Sequence, residues 1–307
     1  KGIAFAHADK GRHVITTSIE HPAVLKTCQF LEKIGYEVTY LDVDHDGMVH
    51  PDDLRTALRD DTILVSIMMA NNEVGTIQPV KELCAIAHEQ NVYFHTDAVQ
   101  AAGKIPIDVE ELDVDLLTIS GHKIHGPKGI GALYVKKGIP LEPLIHGGKQ
   151  EGSLRAGTEN IPGIVGLGKA AELALQSLGR RKELTVLRDR LEKEIRSLVN
   201  RSVLNGHRER RLPNTLNLTL PGIRGESLVV ALDQHGICLS SGSACKAGAP
   251  EPTHVLMAMG RTEKDAHCSV RFSLDSETTA QDVDDCLDAL RHVLKEMETT
   301  VRFMACR

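Results

Sequence analysis

Apolar runs and helically spaced apolar positions alternate along the first half of the chain. Runs such as Ile63–Met69 and Leu116–Ile119 are apolar at all but one position, which is typical of strands buried on both faces of a sheet. Between them, apolar residues recur at helical spacing, as in Pro22–Ile34 and Pro79–Glu89. This alternation predicts an α/β fold with a mostly parallel sheet flanked by helices. The same patterns predict strands over His13–Ile19, Tyr36–Leu41 and Val92–His95, and a helix over Pro51–Leu58.

The pattern changes in the second half. Helical spacing continues over Ile161–Leu198, with Gly179 as a bend, and the elements beyond it are shorter. These patterns predict strands over Thr215–Leu220, Ile237–Leu239 and Ser269–Ser273, and helices over Glu226–Gln234 and Ala280–Met297. We therefore predict a large domain of residues 1–170 and a smaller α+β domain of residues 171–307.

Composition narrows the choice of partners and compartment. The 307 residues carry a net charge of −6 and no block of Lys and Arg, which argues against nucleic acid or an anionic membrane as a partner. The longest apolar runs are too short to span a bilayer. Seven scattered cysteines without a CxxC pair favour a reducing compartment such as the cytoplasm over a disulfide framework or a zinc site.

Candidate cofactor-binding residues lie at or just after the ends of two predicted strands. Ser120–Lys123 follows one apolar run, and His95–Gln100 contains Asp97 at the end of another. A lysine amine and a carboxylate at the carboxyl ends of two strands are what pyridoxal phosphate (PLP) requires. The amine forms a Schiff base, and the carboxylate keeps the pyridine nitrogen protonated. Asn72 also follows a strand, and ligands of parallel sheets bind at this end.

A second segment, Ser240–Pro250, consists almost wholly of small residues, and Cys245 is its only strongly nucleophilic side chain. The neighbouring Lys246 would lower the pKa of this thiol and favour the reactive thiolate. The alternative is an ordinary exposed cysteine. Among the other cysteines, Cys28, Cys84 and Cys286 are predicted to be core residues. Cys238, which lies in a predicted strand, is expected to be buried.

Six segments together resemble the NifS/IscS-type cysteine desulfurases, which are PLP enzymes of fold type I in the class V aminotransferase group. The similarity runs from the first residues to about Ala289, in family order and with compatible spacing. The segments are Glu20–Val24, Asn71–Gly75, His95–Gln100, Ser120–Gly129, Arg155–Asn160 and Ser240–Cys245.

The resemblance implies the cofactor contacts. Lys123 would hold PLP covalently, Asp97 would pair with the pyridine nitrogen, and Gln100 would bond the phenolate oxygen. Further implied contacts are ring stacking and proton transfer by His21, phosphate binding by Ser120 and His122, a contact from Asn72, and a phosphate contact in the partner subunit by Thr158. Each residue also has an ordinary alternative. His21 could simply begin a helix, and Thr158 could cap one.

The resemblance also implies the substrate and the partners. L-cysteine would be bound through its carboxylate by Asn72 and Arg271, and Cys245 would receive the sulfur as a persulfide for iron–sulfur cluster assembly or another sulfur-transfer pathway. Arg271 could instead form a structural ion pair. The resemblance further implies a homodimer and an acceptor or scaffold protein. The family has a Gly-Ala-Thr-Glu phosphate-binding segment that would precede Lys1, so we expect upstream residues to be missing from this sequence.

Three other functions stay open on the sequence. A selenocysteine lyase would share the fold, the cofactor and a related reaction. An ordinary class V aminotransferase is disfavoured because it needs no loop cysteine. A catalytically silent scaffold fragment is the alternative outside enzymology.

Overall fold

The computed structural model describes residues 1–241 and 251–305, with side chains up to residue 297. The chain forms two compact units, each described separately below. The first comprises Lys1–Asn72 and Thr76–Leu178, and the second comprises Glu73–Gly75 and Gly179–Arg307. That residues 1–170 and 171–307 form separate domains stays a prediction.

The first unit is built of alternating strands and helices. Its elements in chain order are α1 (Gly2–Ala6), β1 (His13–Thr17), α2 (Pro22–Lys33), β2 (Glu37–Leu41), α3 (Pro51–Ala57), β3 (Thr62–Ser66), α4 (Val80–Glu89), β4 (Tyr93–Asp97), α5 (Val109–Leu112), β5 (Leu116–Ser120), β6 (Gly131–Val135) and α6 (Ile161–Ser177). The six strands form one sheet in the order β2-β1-β3-β4-β5-β6. All neighbouring pairs are parallel except β5 and β6, so the predicted mostly parallel α/β sheet is confirmed.

Burial explains why the parallel strands were visible in the sequence. Every residue of β1 and β3 is buried, and Ile15, Val65 and Phe94 have no exposed surface. Strands covered on both faces are typically rich in apolar residues. Strand β6 was not predicted, because it is an edge strand whose first three residues are exposed.

The second unit combines helices with a four-stranded antiparallel sheet in the order β7-β8-β10-β9. Its elements are α7 (Arg181–Leu198), β7 (Val203–Asn205), β8 (Thr215–Thr219), α8 (Gly225–Asp233), β9 (Ser240–Ser241), α9 (His254–Ala258), α10 (Glu263–His267), β10 (Ser269–Ser273) and α11 (Ala280–Ala305). Its core includes Leu187, Leu191, Leu216, Phe272 and Leu287. This α+β arrangement agrees with the predicted fold class.

Two predictions in this unit were wrong. Residues 237–239 are not a strand; the strand begins at Ser240 and contains two residues. Cys238, expected to be buried, is exposed because it lies in the connection before that strand. The predicted helical stretch is interrupted by a short 3₁₀ turn, Leu178–Arg180, which contains Gly179; the bend itself stays a prediction. No helix of the described residues is long and apolar enough to cross a membrane.

Candidate active site

Predicted site residues follow four neighbouring parallel strands of the first unit. His21 follows β1, Asn72 follows β3, Asp97 ends β4 and Ser120 ends β5. Because β1, β3, β4 and β5 are adjacent and parallel, their carboxyl ends lie along one side of the sheet. Gln100 lies in the turn after β4 and is half-buried. The fold therefore assigns these five residues to the same end of the sheet.

Asp97 and His21 interact electrostatically at this end. Burial raises the pKa of the Asp97 carboxyl, and a hydrogen bond from Val99 N, at 2.9 Å from Oδ1, and the nearby His21 oppose that rise. His21 is the N-cap of α2, and its Nδ1 accepts a hydrogen bond from Ala23 N at 3.2 Å. Because Nδ1 is an acceptor there, a neutral His21 holds its proton on Nε2. The ordinary alternative for His21, a helix start, is thus observed, and it fixes the imidazole tautomer.

Lys123 lies in a short 3₁₀ turn, Gly121–Ile124, directly after β5, and its side chain is exposed. The turn is tied down by backbone hydrogen bonds, from Gly121 N to Ile130 O at 2.9 Å and from Gly126 N to Gly121 O at 2.8 Å. Gly131 permits the return strand to approach closely, since a Cβ there would lie 2.7 Å from Ile119 O. The glycine-rich run after Lys123 therefore serves to close this turn.

Ser120 and His122 are brought together by that turn. Ser120 Oγ lies 2.8 Å from His122 Nδ1, at hydrogen-bond distance, and His122 is exposed. A hydroxyl and an imidazole joined in this way offer adjacent polar groups suited to an anion such as a phosphate.

A half-buried histidine, His95, lies within strand β4, two residues before Asp97, and sequence reasoning assigned it no role. His95 Nδ1 lies 2.8 Å from Ser66 Oγ, and His95 Nε2 lies 2.8 Å from Thr118 Oγ1. Burial lowers the pKa of His95 to about 4, so the ring is neutral. Because alternate residues of a strand share a face, His95 lies on the same face as Asp97. The sequence signal that could have identified His95 is its place as the first residue of the His95–Gln100 motif.

Thr158 lies in an exposed loop of the first unit, directly after Gly157, whose φ is +96°. The cap of α6 is supplied instead by Asn160, whose side chain accepts from Gly163 N at 3.2 Å. The helix-cap alternative for Thr158 is therefore wrong.

Two predicted residues belong to other parts of the chain. Arg271 is at the centre of β10 in the second unit, opposite Asn217 of β8, and its Nη2 lies 3.3 Å from Ser240 Oγ. Cys245 lies outside the described residues.

The residues at the carboxyl end of the large sheet suit PLP. A partly buried carboxylate whose pKa is raised would be stabilised by a protonated ring nitrogen, and Asp97 is such a group. The hydrogen-bonded Ser120 and His122 suit a phosphate, and Lys123 supplies an amine on the adjoining turn. The side chains at this end of the sheet therefore fit the cofactor.

Comparison with known proteins shows the family of this chain. The family model for class V aminotransferases matches residues 2–286. The cysteine desulfurase IscS of Dictyoglomus turgidum is 52% identical over 300 residues, which cover 97% of this chain and 76% of that protein. The cysteine desulfurase IscS of Methanosarcina thermophila is 55% identical over 298 residues, covering 97% and 74%.

Solved structures show the same fold. A NifS-like protein superposes with a TM-score of 0.89 at 42% identity, covering 96% of this chain and 78% of that one. A structure described as SspA in complex with cysteine gives a TM-score of 0.76 at 39% identity, covering 91% and 78%. The family match and the fold thus place this chain among the class V aminotransferases. Within that class, the chain belongs to the family of cysteine desulfurases, and it spans about three quarters of the length of the relatives named above.

Proposed function

We propose that this chain is a PLP-dependent cysteine desulfurase, which converts L-cysteine to L-alanine and passes the sulfur to Cys245 as a persulfide. The observation that carries the proposal is the set of polar residues at the carboxyl end of the large sheet, in a chain about half identical to proteins named cysteine desulfurase. A related structure described as a complex with cysteine supports the choice of substrate.

When bound, PLP supplies an electron sink that stabilises negative charge at the substrate α-carbon. Lys123 would hold it covalently, Asp97 would keep a proton on the ring nitrogen, and Gln100 would bond the phenolate oxygen. The proposed phosphate ligands are Ser120, His122 and, from the partner subunit, Thr158. Asn72 and Arg271 would bind the substrate carboxylate.

His21 is the proposed proton carrier of this chain. Its Nδ1 is engaged by Ala23 N, so protons are taken up and released at Nε2. Its position as the N-cap of α2 holds the ring in place on a helix of twelve residues. Lys123, on the turn after β5, is the second proposed group for proton transfer at the α-carbon.

Sulfur transfer is a displacement at the substrate sulfur. The Cys245 thiolate attacks that sulfur, and the new S–S bond forms as the Cβ–S bond of the substrate breaks. The electron pair of the broken bond stays with the carbon skeleton, which is protonated and released as alanine. The persulfide then passes its terminal sulfur to an acceptor or scaffold protein. The described cysteines are all free thiols, which supports a reducing compartment such as the cytoplasm.

We also propose a homodimer in which Thr158 reaches the site of the partner. Large apolar side chains are exposed along this part of the first unit, with Leu144 60%, Ile161 57%, Val165 66% and Leu175 70% exposed. Exposed apolar side chains of this size favour burial against a second copy. A monomer in solution that turns over cysteine at the full rate would contradict shared sites.

The test is alanine and sulfide release from L-cysteine by the PLP-loaded chain, with Cys245→Ser and Cys238→Ser compared side by side. Because Cys238 is exposed, it is a fair competitor for the sulfur and a matched control. Cys245→Ser is expected to stop persulfide formation while the cofactor absorption spectrum stays as in the wild type. Near-normal turnover in that variant would contradict the proposed mechanism.

The substrate preference of the same preparation tests the alternative functions. A strong preference for L-selenocysteine would favour a selenocysteine lyase, and no turnover of either amino acid would favour a scaffold role.

A further inference from the structure

Two buried side chains join the segment after β1 to the segment after β3. Glu20 Oε1 accepts hydrogen bonds from Met68 N and from Thr17 Oγ1, both at 2.8 Å. Asn71 Nδ2 donates to Ile19 O at 3.0 Å. Both Glu20 and Asn71 have no exposed surface. We call these two residues and their contacts the Glu20–Asn71 clasp.

Each clasp residue directly precedes a candidate site residue. Glu20 is followed by His21, the proposed proton carrier, and Asn71 is followed by Asn72, the proposed ligand of the substrate carboxylate. The clasp crosses between neighbouring parallel strands, so it fixes the backbone of the two segments relative to each other. An error of about 1 Å in such positions can reduce turnover roughly a hundredfold.

We propose that Glu20 and Asn71 are positioning residues that hold His21 and Asn72 in register at the carboxyl end of the sheet. This inference rests on the proposed function for the identity of the reaction, and on the clasp geometry for the residues involved.

The charges around Glu20 give the clasp a pH dependence. Burial raises the pKa of Glu20 to about 8, the hydrogen bonds from Met68 N and Thr17 lower it, and Asp97 at the end of β4 raises it. The Cys28 thiol of α2 also interacts electrostatically with Glu20. Burial raises the pKa of Cys28 to about 11. At pH 7 the clasp therefore contains a neutral carboxyl group. Above about pH 8 it gains a negative charge close to Asp97.

The test compares Glu20→Ala with Glu20→Gln in the full chain. Alanine removes both acceptor bonds, and we expect kcat/KM for cysteine at pH 7 to fall about ten- to hundredfold. The amide oxygen of Gln accepts the same two bonds as the neutral carboxyl, so we expect Glu20→Gln to restore most of that loss. Glu82→Gln, at an exposed position of α4 in the same unit, is the matched control and should behave as the wild type.

A second readout does not depend on turnover. In the full chain without cysteine, an NMR titration of the His21 ring should shift in Glu20→Ala, but not in Glu82→Gln. For the other half of the clasp, Asn71→Ala should raise KM for cysteine more than it lowers kcat, because Asn72 is the proposed substrate ligand.

The outcomes separate the clasp from the proposed function. Glu20→Ala with wild-type kcat/KM per folded molecule and an unshifted His21 titration would overturn the positioning role of the clasp.

If Glu20→Ala does not fold, wild type and Glu20→Gln are compared between pH 7 and pH 9. A change in kcat/KM near pH 8 in the wild type alone is expected, and identical profiles would overturn the inference. Absence of desulfurase turnover in the wild type would overturn the proposed function, and the His21 titration would then decide the clasp.

Discussion

The two ends of the large parallel sheet carry the same kinds of side chain in different electrostatic settings. At the amino-terminal end, Cys84 Sγ donates to Asp113 O at 3.2 Å, His88 Nε2 lies 2.8 Å from Asp115 Oδ2, and Lys136 Nζ lies 2.5 Å from Asp113 Oδ1. We call these five residues the amino-end cluster. At the carboxyl-terminal end lie the candidate site and the Glu20–Asn71 clasp.

The causes of the pKa shifts differ between the exposed pair Asp113–Lys136 of the amino-end cluster and the buried groups at the carboxyl end. The Lys136 ammonium lowers the pKa of Asp113, and Asp113 in turn raises the pKa of Lys136, so the partners stabilise both charged forms. At the carboxyl end, burial raises the pKa of Glu20 and Asp97 and lowers that of His95, so the charged forms are disfavoured. Charges that are paired within the protein stabilise structure. Groups shifted by burial can respond to a bound molecule, which is why such shifts accompany active sites.

The amino-end cluster also contains a cysteine, a histidine and an aspartate, the residue types of a nucleophilic site. Burial raises the pKa of the Cys84 thiol to about 12, so almost no thiolate is present at neutral pH. Neither residue type nor a pKa shift caused by burial identifies an active site by itself.

Removal of a lysine at each end gives the largest expected contrast in turnover. Lys123→Ala should lower turnover of cysteine by at least about 10³-fold, because the covalent attachment of the cofactor is lost. Lys136→Ala, at the amino end, should keep turnover within about twofold, since this lysine only pairs with Asp113. Turnover assays with PLP in excess measure both, and equal losses in the two variants would remove the distinction between the ends.

A carboxylate at each end gives the next largest contrast. Asp97→Asn should reduce kcat about 10²- to 10³-fold, because an amide cannot hold a proton on the ring nitrogen through charge. Asp113→Asn removes one partner of an exposed ion pair and should cost about 0.2–1 kcal/mol of unfolding free energy without a change in kcat. Turnover and urea unfolding, measured on the same preparations, check the pair. A normal kcat in Asp97→Asn would contradict its assigned role.

Glu20→Gln tests the cause of the carboxyl-end shifts through stability. The pKa of Glu20 is about 8 in the folded chain against 4.5 as its ordinary value. The folded chain thus binds this proton more tightly than the unfolded chain. The stability that the proton provides is complete below pH 4.5 and is lost as pH rises to 8. Relative to Glu20→Gln, the wild type should lose about 3 kcal/mol of unfolding free energy between pH 6 and pH 9.

Urea unfolding of both proteins at pH 6, 7.5 and 9 measures this difference, and Glu82→Gln is the control for surface charge. A difference that does not vary with pH would mean that Glu20 is ionised in the folded chain throughout.

The smallest expected effect lies in the amino-end cluster. His88→Ala removes the hydrogen bond of an imidazole that is itself 28% exposed, and it should lower the unfolding free energy by about 1 kcal/mol. Turnover should be unchanged, because the sheet separates this cluster from the candidate site. A selective loss of kcat would show that the two ends are coupled.

Much of the fold followed from the sequence because the parallel strands are buried on both faces. Mostly apolar runs located β3, β4 and β5, and Asp97 and Lys123 could then be assigned to the ends of β4 and β5. Strand β6 gave no such signal, because it is exposed at the sheet edge. Cys238 was misassigned for a related reason, since three apolar residues before β9 resemble a strand but do not pair with any strand of the described residues.

The clasp could not have been predicted from the sequence. Glutamate is seldom fully buried, and nothing local to Glu20 indicates that Met68 N, 48 residues later, would donate to it. The partners of His95 on β3 and β5 likewise depend on strand register. Residues that act at strand ends were visible as motifs, whereas residues that support them became visible only through tertiary contacts.

The site of covalent cofactor attachment tests most directly whether the carboxyl end of the large sheet is the active site. The full chain is loaded with PLP, reduced with borohydride, digested and mapped by mass spectrometry, with the unreduced sample as the control. The label is expected on Lys123 alone. A label on Lys136 or any other lysine, with Lys123 unmodified, would contradict the assignment of the carboxyl end of the sheet as the active site.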